Sequence, residues 1–551
     1  MTPDAVSAAV LDVVRATFVA HDLDTSALPE TTTVERPRNR DHGDYATTIA
    51  LQLAKKVGVP PRELAGWIGE RLAQQPGIAS AEVAGPGFLN IRLEAAAAGQ
   101  LARTIVEAGA AYGRVDLLKG QRVNVEFVSA NPTGPVHLGH TRWAAVGDVL
   151  ARVFAAAGAE VAREFYINDR GAQLNNFGRS LVAAALGEPT PENGYHGEYV
   201  ADIARAIVAD RPEIVDLPED ERLVAFREEG YRRQLEEQEA VLAKFRTHFD
   251  VWFSERSLHS SGAIDEAMAA LRKAGHVYEQ DGAVWMRTSE FGDDKDRPLV
   301  KSDGEYTYFG SDAAYYVNKR GRGFTRCLYL LGADHHGYVN RLRAIAACAG
   351  DNPDDSVDVL IGQLVKVMQN GAEMKLSKRA GTIITLQEVV DLVGVDAARY
   401  QLSRFSTDSE MVLDVDLLTK RTNDNPVYYV QYAHARISSV LRNAADLGID
   451  RGELDPSLLS EEKTNTLLGA LAEFPGVVAT AAELREVHRI ARYLESLAGV
   501  FHRFYDVHRV LPQGDEEVTA TNRARLWLLE ATRTVLANGL GLLGVTAPER
   551  M

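Results

Sequence analysis

Cysteine is nearly absent: 551 residues contain two, Cys327 and Cys348. They form no CxxC pair and no disulfide framework. With His335 and His336 between them, their spacing fits no common zinc pattern, so they are expected to be buried small hydrophobes and no protein-bound metal is expected. Long apolar runs are missing too. No stretch of ~18 uncharged apolar residues occurs, so no membrane span is expected. The N-terminus carries Asp4 and Asp12 and no basic stretch before an apolar core, unlike a secretory signal. A soluble cytoplasmic protein is the expectation. Positive charge is in deficit: 60 Lys and Arg against 77 Asp and Glu leave −17. Such a chain repels polyanions at long range, which argues against a general nucleic-acid coat and makes local basic patches the places to meet RNA. Repeats and low-complexity tracts are also lacking. What remains is ordinary globular composition, 46% hydrophobic and 25% charged, in a chain too long for one core. About two to four domains are expected.

Residues 1–95 read as a small α+β module. Leu51, Leu53 and Val57 help make the apolar part of one helix, and Leu64, Ile68 and Leu72 recur at helical spacing in a second. Pro60-Pro61 separates the two. Val83, Gly85-Pro86-Gly87 and Phe88–Leu93 read as strand, turn and strand. Ala95–Ala110 is an alanine-rich helical connector. In 110–423, Val123, Val125 and Phe127 alternate as in a strand, a helix runs from about His137 to Val153, and Arg163–Ile167 is a second strand. This βαβ order demands a parallel sheet. Further strands are expected at Leu328–Leu331 and at Val357, Val359 and Ile361. Residues 189–273 read as a charged helical insertion without sheet. From 424 to 551 the pattern is helical, with Leu484, Val487, Ala491, Leu494 and Ala498 as an apolar stripe and Arg485, His488, Arg489 and Arg492 on other faces of the same helix.

Between the first strand and its helix stands Ala130-Asn131-Pro132-Thr133-Gly134-Pro135-Val136-His137-Leu138-Gly139-His140. Prolines and glycine shape a tight loop. The helix start is expected to offer unpaired backbone N–H groups and a positive dipole end to an anion. His137 and His140 share a face one turn apart, and Gly139 permits close approach. Two imidazoles there can stabilise oxygens that gain charge during attack at phosphorus. Far along the chain, Met374-Lys375-Leu376-Ser377-Lys378-Arg379-Ala380-Gly381 is a dense cationic loop flanked by Gly371 and Gly381. Lys375 and Lys378 would close over phosphates and neutralise a pyrophosphate leaving group. Taken singly, each motif also fits a solvated surface element.

Together the two motifs resemble the paired signatures of class I aminoacyl-tRNA synthetases. His137-Leu138-Gly139-His140 matches the first. Lys375–Arg379 matches the second, with leucine for the usual methionine and arginine for the final serine. Within that class the chain resembles the arginyl-tRNA synthetases over nearly its whole length. The similarity is carried by Val125–Pro135, Phe291–Arg297, Asp303–Phe309, Gly332–Tyr338 and the closing Gly544–Met551. It also includes Asp396-Ala397-Ala398-Arg399, similar to the Asp-Ala-Leu-Arg motif of the family's anticodon-binding domain, and Asn425–Arg436, similar to the start of its helical bundle.

The resemblance implies a Rossmann-type α/β catalytic domain, a small N-terminal α+β domain and an all-α C-terminal anticodon-binding domain. It implies activation of L-arginine by ATP with substrate-borne Mg2+, then transfer to the 2′-hydroxyl of the terminal adenosine of tRNA(Arg). It implies His137, His140, Lys375 and Lys378 as catalytic, with Pro135, Gly139 and Ser377 also at ATP. Glu126, Ser129, Asn131, Tyr308 and Asp312 would form the arginine pocket, joined by His335 where the family often has glutamine. Bidentate carboxylates suit a planar guanidinium. Asp312 and Tyr308 are assigned mainly to the guanidinium, Asn131 mainly to the α-amino end. Arg36, Arg38 and Arg40, beside His42 and Tyr45, together with Tyr432 and Arg436 would meet tRNA through phosphate contact and stacking. A monomer that needs tRNA even for the activation step is also implied. Competing readings are a class I enzyme for another amino acid such as cysteine or glutamine, a small-molecule nucleotidyltransferase, and a synthetase-like tRNA-binding paralogue.

Overall fold

The computed structural model describes residues 1–37, 39, 42–333, 337–374 and 384–551. At its centre lies a five-stranded parallel sheet. Its spatial order is Val357–Gly362, Arg326–Gly332, Arg122–Glu126, Glu160–Ile167, Val251–Ser254. In chain order this is fifth, fourth, first, second, third. The direction of winding therefore reverses between Arg122–Glu126 and Arg326–Gly332. Ligands of open α/β sheets bind at the carboxyl ends of the strands beside such a reversal, which is where Glu126 ends its strand.

Val123 and Val125 of the first strand are buried on one face and Asn124 on the other, so both faces of the strand are covered. The helix Leu138–Ala156 returns over the sheet, and every residue from Thr141 to Ala151 is buried. Asp250 caps the edge strand's start, since its carboxylate and its N–H both bond the Arg163 backbone. That edge strand corrects one expectation. Residues 189–273 do contribute to the sheet, because Val251–Ser254 pairs in parallel with Glu160–Ile167. The apolar run Val251-Trp252-Phe253 is short and follows the charged helix Glu219–Lys244, so local pattern under-represents it. Only a long helical excursion brings it back to the sheet.

The N-terminal unit has its own core, with Leu64, Ile68 and Leu72 of the helix Pro61–Leu72 fully buried. Its antiparallel sheet runs Tyr45–Thr47, Phe88–Leu93, Ile78–Ala84. The alanine-rich helix Ala95–Ala108 packs on the C-terminal bundle, where Arg103 bonds Leu454 O and Tyr112 bonds Leu471 O.

In the bundle the Leu484–Ala498 stripe needs correction. It belongs to two helices, Phe474–Leu484 and His488–Val507. Arg485 takes φ 57° and the Glu486 N–H turns back to Ala481 O, ending the first helix. Leu484 is left 48% exposed while His488 is buried. No glycine or proline marks this left-handed turn, so periodicity ran through it. The apolar stretch Glu462–Leu484 is also divided, into Glu462–Ala472 and Phe474–Leu484, half of it buried within the protein. Both cysteines are free and buried.

Candidate active site

Beyond Glu126 the chain leaves the sheet through two left-handed residues, Val128 at φ 68° and Ser129 at φ 42°. A β-branched residue there costs about 1–3 kcal/mol and persists only where the surroundings impose it. The turn aims the Ser129 hydroxyl back at the sheet. It accepts the Tyr166 N–H at 3.1 Å and lies 3.5 Å from Glu126 Oε1. The following loop is held by two residues that sequence reasoning missed. The Gln238 amide donates to Asn131 O at 2.9 Å and Gly134 O at 2.7 Å, and the Tyr199 hydroxyl donates to Thr133 O at 3.0 Å. Gln234 and Gln238, neutral amides four apart in a charged helix and both buried, were the available signal. Asn131 is exposed and Pro135 half-buried.

His137 caps the helix Leu138–Ala156. Its Nδ1 accepts the Gly139 N–H at 3.1 Å, so the ring is neutral and its proton sits on Nε2, where it can donate. Burial lowers the His137 pKa, in keeping with a neutral ring. A Cβ on Gly139 would stand 2.9 Å from His137 Cε1; glycine here makes room for the cap itself. The His140 ring lies 4.2 Å from that of His137, centroid to centroid.

The expected row of free helix-start N–H groups is absent at the first turn. Leu138 N–H bonds Ile384 O at 2.7 Å, Gly139 N–H bonds His137, and His140 N–H bonds His137 O at 2.8 Å. The cause is tertiary: the segment after the cationic loop lies across the motif, with Thr385 bridging His137 and Leu386 N–H bonding Val136 O. An anion at this helix start is therefore met by imidazoles and the helix dipole, less by backbone amides.

Lys375, Ser377 and Lys378 lie outside the described residues, as does His335. The loop's described flanks are Ala372–Met374, hairpinned to Val365–Gln369, and Ile384–Leu386, seated on the histidine motif.

Three carboxylates gather at the same sheet end. Glu126 Oε2 accepts from Lys319 Nζ at 2.5 Å. Asp312 accepts from the Tyr338 hydroxyl. Glu255, on the residue after the edge strand, is buried and bonded by Tyr166. Burial pushes Asp312 up to about 7; the Tyr338 bond and the charge of Arg341 oppose this, and the charges of Glu255 and Glu126 add to it. Burial raises Glu255 too. Lys319 is paired with Glu126, and Arg341 and Arg170 act on Asp312 and Glu255 through charge alone. Tyr308 begins the helix Tyr308–Gly321 four residues before Asp312 and is 75% exposed, its hydroxyl over Gly171. Tyr308 thus stands at the rim and Asp312 inside.

Of the residues expected at RNA, Arg38 and Arg40 lie outside the described residues. Arg36 reaches the C-terminal bundle, 3.6 Å from Glu473 and pressed on Gly469, where any side chain would strike its guanidinium. Tyr432 is half-buried and stacks with Tyr428 and His502, and the Arg436 guanidinium lies 4.4 Å from the Tyr505 ring centre. Asp396 bonds Arg246, Gln431 and Thr546, and Arg399 bonds Asp148 on the histidine helix. The Asp-Ala-Ala-Arg segment thus joins the sheet domain, the bundle and the chain's end.

Three family models cover the chain: the arginyl tRNA synthetase N terminal domain over residues 4–93, the class I (R) tRNA synthetase catalytic domain over 102–437, and the DALR anticodon binding domain over 430–551. The arginine–tRNA ligase of Kineococcus radiotolerans is 57% identical and that of Frankia alni 58%, each with both chains covered in full. Among solved structures, the arginyl-tRNA synthetase of Thermus thermophilus shares the fold at TM-score 0.76 and 24% identity, over 99% of this chain and 100% of that one. That of Plasmodium falciparum does so at TM-score 0.73 and 15% identity, covering both chains fully. A sheet reversing beside Glu126, paired histidines at a helix start and an acidic pocket thus occur in a chain matched end to end by these relatives, and the chain belongs to the arginyl-tRNA synthetases of class I.

Proposed function

We propose that this protein is an arginine–tRNA ligase whose reaction runs between the histidine motif and the Glu126–Asp312 pocket. The arginine carboxylate attacks the α-phosphorus of ATP, which arrives with Mg2+, and pyrophosphate leaves. The 2′-hydroxyl of the terminal adenosine of tRNA(Arg) then attacks the arginyl carbonyl, and AMP leaves. One observation carries the assignment: Asp312 stands among the carboxylates of Glu126 and Glu255 and, despite the nearby Arg341, burial and those charges push its pKa up to about 7, so an added cation is favoured there. A guanidinium supplies that charge and pairs with carboxylates bidentately.

In this reading His137 donates through Nε2–H to phosphate oxygens as charge builds, with His140 beside it. Lys375 and Lys378 neutralise the departing pyrophosphate, and Pro135, Gly139 and Ser377 line the nucleotide. No side chain forms a covalent bond to substrate. Glu126 and Asp312 take the guanidinium, with Tyr308 closing the rim; Ser129 orients Glu126; Asn131 and His335 serve the α-amino end. Residues 110–423 run the reaction, while 1–95 and 424–551 hold tRNA(Arg) through Arg38, Arg40, Tyr432 and Arg436. Arg36, engaged by Glu473, is left out of these RNA contacts. The protein acts as a cytoplasmic monomer.

ATP–pyrophosphate exchange, tested across the amino acids with and without tRNA, decides the reading. Exchange with arginine alone, weak until cognate tRNA is added, is expected. Exchange with cysteine or glutamine instead would overturn the assignment. Strong arginine exchange without tRNA would remove the tRNA requirement and leave the ligase reading standing.

A further inference from the structure

Lys319 is fully buried, an expensive place for an ammonium. It lies near the end of the helix that carries Tyr308 and Asp312. Its Nζ meets Glu126 Oε2 at 2.5 Å and stands 4.5 Å and 4.1 Å from the ring centres of Tyr315 and Tyr329. Two aromatic faces and one carboxylate oxygen thus hold it in one place.

The neighbouring carboxylate shows what a purely structural pair looks like here. Glu164 sits in register with Glu126 on the adjacent strand. It accepts two bonds from Arg322, at 2.7 and 2.8 Å, one from Asn124 at 2.8 Å, and one from Tyr315. Both of its oxygens are taken without Lys319. Glu126 is treated differently. Lys319 takes Oε2, and Oε1 has the Ser129 hydroxyl at the long distance of 3.5 Å. Glu126 is also close enough to Asp312, Tyr166 and Tyr338 to act on each electrostatically.

We propose that Lys319 is a positioning residue of the arginine site: it clamps one oxygen of Glu126 and so presents the other to the guanidinium. The proposal rests on the reading that Glu126 binds arginine. A side chain acting only on the fold would disturb all substrates alike, whereas one acting through Glu126 disturbs arginine and loses its influence when Glu126 is neutral.

The test is a double-mutant cycle in the full-length enzyme, by steady-state aminoacylation with arginine, ATP and tRNA varied in turn. Lys319→Met is expected to raise the arginine KM about tenfold or more, the scale of a lost charge-assisted bond, with the ATP KM within about twofold. In a Glu126→Gln background, Lys319→Met should add less than about twofold, because the clamped charge is gone. If Glu126→Gln raises the arginine KM but Lys319→Met does not, the clamp is wrong and the pocket reading stands. If Glu126→Gln itself leaves the arginine KM unchanged, the pocket reading fails and takes the clamp with it. Should Lys319→Met alone not fold, Lys319→Gln takes its place in the same cycle: a rise in the arginine KM alone that vanishes in the Glu126→Gln background supports the clamp, and unchanged or uniformly raised KM values overturn it.

Discussion

Two aspartates, Asp148 buried and Asp312 half-buried, show how this molecule separates structure from chemistry. Asp148, in the middle of the histidine helix, is 1% exposed and receives three guanidinium groups, from Arg152, Arg163 and Arg399. Asp312, at the sheet's carboxyl end, receives the hydroxyl of Tyr338, and its pKa rises to about 7. Both are carboxylates on helices beside one sheet. The first has more positive charge than it needs and ties three segments of chain together. The second has no guanidinium hydrogen-bonded to it among the described residues, and burial with two neighbouring carboxylates disfavours its ionised form, as in the proposed binding site for a cation. Buried charge reads as architecture where it is satisfied and as a binding site where it is not.

The largest expected effect is at the satisfied end. Arg399 is fully buried and also donates to Leu543 O, Phe245 O and Thr247 Oγ1. Arg399→Met leaves Asp148 with Arg152 and Arg163 but takes the donor from these buried acceptors, and should cost about 2–4 kcal/mol, the scale of buried polar groups left unpaired. Urea unfolding followed by circular dichroism measures this, and an unmoved midpoint would erase the contrast. Asp312→Asn should do the reverse. Removing a charge that burial already disfavours leaves the unfolding midpoint unchanged or higher, while kcat/KM for arginine falls roughly 100-fold, as for the loss of a charge-assisted bond of about 3 kcal/mol. A destabilised variant with normal arginine kinetics would place Asp312 with Asp148.

The smallest effect is in pH. Because the folded Asp312 titrates near 7, well above an ordinary aspartate, the folded state holds an extra proton between the two values. Its stabilising contribution is full at low pH and is lost as pH rises through 7. Arginine binding has the opposite slope, since the guanidinium needs the carboxylate ionised. The arginine KM should therefore be about fivefold higher at pH 6 than at pH 7 in the parent protein, and flat in Asp312→Asn. A flat parent profile would show that Asp312 ionises normally and sharpen the pocket's charge to a full negative one.

Much of this site was legible along the chain. The prolines and glycine at 132–135 and the His137–His140 spacing mark a strand-to-helix turn, and the structure puts His137 at the helix cap. Tyr308 and Asp312 at a four-residue interval do share a helical start. Other features left no local trace. The helix turn at Arg485 lacks glycine or proline. The strand Val251–Ser254 is four residues long, too short for an alternation to declare itself. Gln238 and Lys319 look like members of polar helix faces and gain meaning only from what they meet.

By itself the sequence determined the class of chemistry and the order of the parts. Hydrophobic period, turn residues and motif spacing are properties of neighbours in the chain, and they suffice for a βαβ unit, a histidine pair and a cationic loop. Tertiary structure alone decided which charges would be satisfied. Glu126 and Lys319 are 193 residues apart, and Asp148 and Arg399 are 251 apart. Whether a carboxylate finds its cation depends on which strand ends and helix faces the fold brings together. That outcome is set by distance and burial, which no periodicity along the chain encodes.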